Sequence, residues 1–160
     1  TTARRLHAMG RPSLRRPHRA YDNGVVLDTA CFAQHYTMPI SRKAIEENMK
    51  PHTLSTDLVG DWPGEEPGYN LLEIMTIFHT LGMSLEEVIA AVTTNSAKVI
   101  GHKELGSLKP GSIGDAAVLD IENGSFTYDD GVGNKLNAQC RFTNTLTIKN
   151  GKTWRIRPHN

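Results

Sequence analysis

Apolar and polar positions along this chain fall into two regimes with different periods. Residues 24–28, GVVLD, form a short β-branched run behind a turn signal, the pattern of a buried strand. After the loop TACFAQHYTMP, the run ISRKAIEENM predicts a helix. Ser41 suits an N-cap, Ile40 and Ile45 stand at staple positions around it, Ile45 and Met49 share a face, and Pro51 stops the run. HTLSTD then reads as a second strand ending at Asp57. Strand, helix and strand within about thirty residues make a βαβ unit, whose two strands pair parallel. Two more helical patterns follow. LLEIMTIFHTLG carries Leu71, Leu72, Met75 and Phe78 near helical spacing and closes at Gly82. SLEEVIAAVTTNSAKVIG opens on a Ser84–Glu87 capping box, has Leu85, Val88, Ile89 and Val92 as its inward stripe, and ends near Gly101.

Beyond His102 the period changes to that of strands. A Pro110-Gly111 turn leads to a β run over 116–121, NGSFTYDDGVGNKL adds a strand with glycine turns, and FTNTLTIKNGKTWRI is two alternating runs around Asn150-Gly151. An Asn-Gly pair between such runs is a strong hairpin signal. The expected organisation is therefore a flexible basic arm over 1–23, an α/β segment over 24–101 and a β domain over 102–160.

Composition narrows the function classes. The chain has 160 residues and a formal net charge of +1, so no overall field draws it to nucleic acid or an anionic membrane. No apolar run approaches the roughly 20 residues of a membrane span. Two cysteines, Cys31 and Cys140, are too few for a disulfide framework, so a reducing, cytoplasmic setting is expected. Charge is uneven, however. The first twenty residues hold six arginines, Arg4 to Arg19, with His7 and His18 and no acid. That composition fits a nucleic-acid arm, a transit peptide or a plain surface tail; the absence of interleaved aromatics favours the tail.

Candidate chemistry lies at the strand ends. In a parallel α/β sheet, the loops beyond the carboxyl ends of the strands form the ligand-binding face. Asp28 and Asp57 are expected at two such ends, with Cys31 and His35 in the loop after the first strand, so the four side chains are candidates to converge. Asp57 alone also reads as a turn or cap residue. The loop LVGDWPGEEPGYN behind it, with three glycines and two prolines, suits a pocket rim. His79, on the helical run, reads as a packed residue rather than a ligand.

The stretches LGMSLEEVIAAVTTNSAKVIG and ELGSLKPGSIGDAAVLD resemble the carboxyl-terminal end of the amidohydrolase superfamily, and TLSTDL resembles its eighth barrel strand. The nearest subgroup is the amidohydrolase/deacetylase metallohydrolases, which are dihydroorotase-like. The resemblance runs over roughly 24–156. It implies a carboxyl-terminal fragment of a TIM barrel, with the last βαβ unit and its helices, followed by part of a small β-sandwich. It also implies a zinc-dependent hydrolase of C–N bonds in acylated or cyclic amides. Asp57 matches the aspartate that helps hold the metal and serves as general acid/base. A bound metal lowers the pKa of its water toward about 7, and a nearby carboxylate takes that proton and hands it to the leaving amine. The family's Asp-Val-Gly-His-Gly turn aligns without gaps on 28–32, which sets Cys31 where a metal-binding histidine stands. A thiolate there can bind zinc; otherwise that ligand is lost, or His35 replaces it. An eight-stranded barrel takes about 250 residues, and His-x-His and a bridging lysine are missing here. Two outcomes follow: a hydrolase that needs an amino-terminal barrel half, or a non-catalytic remnant that serves as an oligomeric or binding domain. Uncovered strand edges predict self-association or a complementary partner in either case.

Overall fold

The structure, a computed structural model, describes residues 15–31, 36–58 and 69–154. Helix α1 (Arg15–Asp22) leads to strand β1 (Asp28–Ala30), helix α2 (Met38–Glu46) and strand β2 (Thr53–Ser55). Helices α3 (Leu71–Leu81), α4 (Leu85–Val92) and α5 (Thr94–Val99) come next. Strands β3 (Ala116–Asp129), β4 (Lys135–Lys149) and β5 (Lys152–Trp154) complete the order. β1 and β2 pair parallel, with Asp28 opposite Thr53 and Ala30 opposite Ser55. The last three strands form an antiparallel sheet in the order β3-β4-β5.

Helix α3 is the hub. Its N-terminus is closed by a capping box, in which the Asn70 side chain accepts from the Glu73 amide and Glu73 accepts from the Asn70 amide. Gly82, at φ 119°, ends it in the left-handed conformation that glycine adopts without a Cβ penalty. Ile74, Met75, Ile77 and Phe78 are each at most 1% exposed. A helix so apolar around its circumference must be covered on both sides. α2, α4, β2 and β4 all pack against it, β4 most extensively. Each of these large side chains contributes roughly 1.5–3 kcal/mol by leaving water. Tyr128, Leu136, Ala138 and Phe142 of the antiparallel sheet belong to the same core as the helices. The core is therefore continuous across residues 101 and 102. Among the polar contacts across this junction, buried Thr76 Oγ1 accepts from the Phe142 amide at 3.0 Å while donating to the Leu72 carbonyl at 2.9 Å.

Several elements differ from the sequence expectation. Of the run over 24–28 only its last residue is in the sheet: Val25 and Val26 are 49% and 46% exposed, and β1 begins at Asp28. Pairing starts there because β2 starts opposite; the Leu27 amide donates to His52 Nδ1 at 3.1 Å, and the Leu27 carbonyl accepts from the His52 amide at 2.8 Å. Helix α2 starts three residues before Ser41, with Thr37 at the N-cap and Pro39 in its first turn, so Ser41 sits inside it. The long helix expected over 84–101 breaks at Thr93 (φ −128°, ψ −92°), whose hydroxyl donates to the Ile89 carbonyl at 2.6 Å. Its buried face turns accordingly: Val88 and Ala91 are fully buried, whereas Leu85 and Ile89 are 38% and 36% exposed. Asn123-Gly124 is not a turn; β3 runs through it, with a register shift between Asn123 and Phe126. The hairpin at Asn150-Gly151 joins β4 to β5 with both residues at positive φ (51° and 72°), as a tight type I′ turn requires.

Part of the basic arm is also structured. Residues 15–22 are helical, His18 Nε2 lies 2.7 Å from Glu47 Oε2, and the Tyr21 ring stands 4.8 Å from the His52 ring. Residues 1–14 lie outside the described residues.

Candidate active site

The carboxyl end of β2 carries the candidate carboxylate. Two residues beyond Ser55, Asp57 is exposed and takes φ 53°, a left-handed backbone that aspartate tolerates better than most residues with a Cβ. The Thr56 hydroxyl accepts from the Leu58 amide at 3.3 Å and tightens the same turn. β2 is held from behind by Asn95 on α5, whose Nδ2 donates to the His52 carbonyl at 2.9 Å. Asp57 therefore stands on a turn fixed by its strand and by a helix packed against that strand.

Asp28 does not join it. As the first residue of β1 it lies at the opposite end of the strand pair. One carboxylate oxygen accepts from the Thr53 hydroxyl at 2.6 Å and the other from the Ser55 hydroxyl. The side chain thus spans β2 sideways and locks the parallel register.

Cys31 follows β1 at the same rim as Asp57, and its amide donates to the Ser55 carbonyl at 3.3 Å. The side chain is 1% exposed and belongs to the hydrophobic core with Tyr36, Met38 and Phe78. Burial pushes its thiol up to about 12, opposed by a hydrogen bond with Thr29 and reinforced by the nearby Asp28 carboxylate. Metal ligation needs the thiolate, the form that burial of this kind disfavours. The Tyr36 hydroxyl is buried beside it and is raised above the ordinary tyrosine range, first by burial and then by Cys31. His35, and the part of the glycine-rich loop over 59–68, lie outside the described residues. His79 is half-buried on α3, its Nδ1 is 2.9 Å from the Met83 carbonyl and its ring packs near Phe142, which is a structural placement. Among the described residues, no three His, Cys, Asp or Glu side chains gather closely enough to hold a metal ion.

Sequence reasoning missed one polar centre near this rim. Asp130, in the turn between β3 and β4, is 2% exposed and accepts four hydrogen bonds, one of them from the Met38 amide at the start of α2. Its signal was present in DDGVGN, since an aspartate ahead of glycines is Asx-turn chemistry.

Comparison with known proteins bears on the same residues. The profile of the Amidohydrolase family matches residues 12–153. A deacetylase of Enterococcus faecalis is 26% identical over 136 residues, which are 85% of this chain and 37% of that protein. An imidazolonepropionase of Pseudomonas savastanoi is 35% identical over 100 residues, 61% of this chain and 24% of that one. A crystal structure of an adenine deaminase superposes with a TM-score of 0.82 at 25% identity, covering 87% of this chain and 38% of that one. A dihydroorotase shares the fold, with a TM-score of 0.78 at 23% identity over 89% of this chain and 39% of that one. The chain thus spans less than two-fifths of the length of each of these relatives.

Proposed function

That this chain belongs to the amidohydrolase family is the premise from which we propose that it forms the carboxyl-terminal portion of a hydrolase of C–N bonds in acylated or cyclic amides. In this reading Asp57 is the general acid/base, β1, α2 and β2 belong to an incomplete TIM barrel, and β3–β5 are part of a small β-sandwich. The observation that carries it is the placement of Asp57: a carboxylate on a tight turn at the carboxyl rim of a parallel strand pair, within a fold shared with a dihydroorotase and an adenine deaminase. The names of the relatives, deacetylase and imidazolonepropionase, support the acylated and the cyclic class respectively.

The chemistry assigned to this chain's own residues is limited to proton handling. Asp57 accepts a proton from the attacking water and returns it to the departing nitrogen, a positioned-carboxylate role worth about 10²–10⁴ in rate. Amidohydrolases generally depend on a divalent metal. The described residues do not fit such an ion by themselves, because no three His, Cys, Asp or Glu side chains among them gather closely enough to hold it. Zinc, as the resemblance implies, would take its other ligands from a complementary barrel portion. The burial and raised thiol of Cys31 support a packing role for it.

The test is hydrolysis of N-acetyl amino acids and of dihydroorotate in the presence of zinc. The chain is assayed alone and with the amino-terminal barrel half of a related deacetylase supplied in trans. Activity is expected only in the combined sample. Asp57→Asn, which keeps a residue that tolerates positive φ, is expected to lower it by about two orders of magnitude or more. Full activity in Asp57→Asn would overturn the assignment. A stable self-assembly that turns over neither substrate, with or without the partner, would favour the non-catalytic binding role instead.

A further inference from the structure

The turn between β3 and β4 lies far along the chain from the rim of the strand pair, yet it holds both rim loops where they end. Asp130 Oδ1 accepts from the Val132 and Asn134 amides at 3.1 and 2.9 Å, which shapes the turn. Its Oδ2 accepts from Asn134 Nδ2 at 2.8 Å and from the Met38 amide at 3.0 Å, across 92 positions of sequence. Met38 is the first residue of α2, where the Thr37 side chain makes no capping bond. The carboxylate therefore does for α2 what a local N-cap does elsewhere, and it favours the positive end of the helix dipole. One residue earlier, the Asp129 carbonyl accepts from the Tyr69 hydroxyl. The Tyr69 and Tyr128 rings meet edge to face at 6.0 Å beneath that bond. Met38 ends the loop that leaves β1 through Cys31, and Tyr69 ends the loop that leaves β2 through Asp57.

We propose that the turn over 129–134 is a working part of the rim: Asp130 is a positioning residue that fixes where the loop after β1 ends, and the Asp129 carbonyl, through Tyr69, fixes where the loop after β2 ends. Met38 and Tyr69, the described residues with which the chain resumes after these loops, are thereby both tied to this turn. The functional meaning of the rim rests on the reading of Asp57 given above; the anchoring itself does not. A carboxylate buried to this degree and fully used by N–H donors is costly to lose, because its partners are left unpaired in a dry environment.

Hydrogen exchange of individual amides by NMR tests the anchoring directly. Asp130→Asn keeps one carbonyl oxygen for the two amides within the turn and sets an NH2 group against Met38. The Met38 amide is expected to exchange about tenfold faster or more, while the amides of Ile77 and Phe78 on α3 change in rate by less than about threefold. Thr37→Asp added to this variant supplies a local cap to the Ile40 amide, Pro39 having no N–H, but not to Met38. Helix α2 is then expected to regain protection while Met38 stays fast. Recovery of Met38 in the double variant would show that Asp130 only capped a helix, and an unchanged Met38 in the single variant would show no anchoring at all; either result overturns the proposal. Should Asp130→Asn fail to fold, Tyr69→Phe removes one hydroxyl and is expected to speed the Tyr69 and Asn70 amides over those of α3, and no change there sinks the proposal. Exchange is measured without substrate. A slow, anchored Met38 together with no hydrolysis in the combined sample would therefore defeat the catalytic reading and leave the anchoring intact.

Discussion

Thr76→Val is the sharpest probe of whether the helices and the antiparallel sheet form one cooperative unit. The substitution is nearly isosteric, so no cavity opens, and Val and Thr have similar helix propensity. What it removes is the acceptor for the buried Phe142 amide at 3.0 Å and the donor to the Leu72 carbonyl at 2.9 Å. The Leu72 carbonyl keeps its place in the helix ladder; the Phe142 amide is left dry and unpaired. That costs about 1–3 kcal/mol. For a chain of this size it corresponds to a fall in melting temperature of about 2–4 °C for each kcal/mol. Thr80→Val on the same helix is the control, since its hydroxyl only donates back to the Thr76 carbonyl at 2.8 Å, and a change within about 0.5 kcal/mol is expected. Urea unfolding followed by both helix and near-ultraviolet signals should move as one transition, with the midpoint shifted and the slope unchanged. Equal effects from the two variants, or two separate transitions, would refute the shared core.

Three further outcomes are expected. Gly106→Ala destabilises the chain by about 2 kcal/mol in thermal or urea melts, because at φ 68° a new Cβ would sit 2.7 Å from the Thr93 carbonyl carbon and oxygen and 2.9 Å from the Thr94 nitrogen, backbone that cannot swing aside. The Glu87 carboxyl is held below its ordinary value, first by the hydrogen bond from Lys50 at 2.6 Å and then by the Ser84 amide. Its contribution is therefore present above the ordinary glutamate value and fades as pH falls through the depressed one; Glu87→Gln should flatten that acid limb of stability against pH, by about 0.5 kcal/mol for so exposed a pair. Iodoacetamide at pH 8 should modify half-buried Cys140 first and reach buried Cys31 only when the chain unfolds, as peptide mass spectrometry of timed samples would reveal.

Local chemistry was the legible part of this fold. The Ser84–Glu87 box, the glycine after α3 and the Asn150-Gly151 hairpin were all readable, because each is settled by residues within a few positions of one another. What was misread depended on distant partners. Asp28 was expected at a strand's carboxyl end, but pairing begins only where His52 takes the Leu27 amide, so the strand slides to start at Asp28. Ser41 was expected to cap α2, yet the Met38 amide is met by a carboxylate 92 positions away, and the helix starts earlier. The break falls at Thr93, at a position where the apolar periodicity carries no interruption. At the candidate site, the position of Asp57 just beyond the second strand was readable from strand order. The inward turn of Cys31 was hidden, since a short strand gives too few residues to decide which face its neighbour meets.

The span of the Asp130–Met38 and Phe142–Thr76 bonds, 92 and 66 positions, has a kinetic consequence. Large loops must close before either bond repays its ordering cost, so most of the core cannot settle until β4 has been made. On a ribosome, α3 would emerge with its apolar circumference bare and wait for its second cover, and during that interval it is a natural client for a holding chaperone.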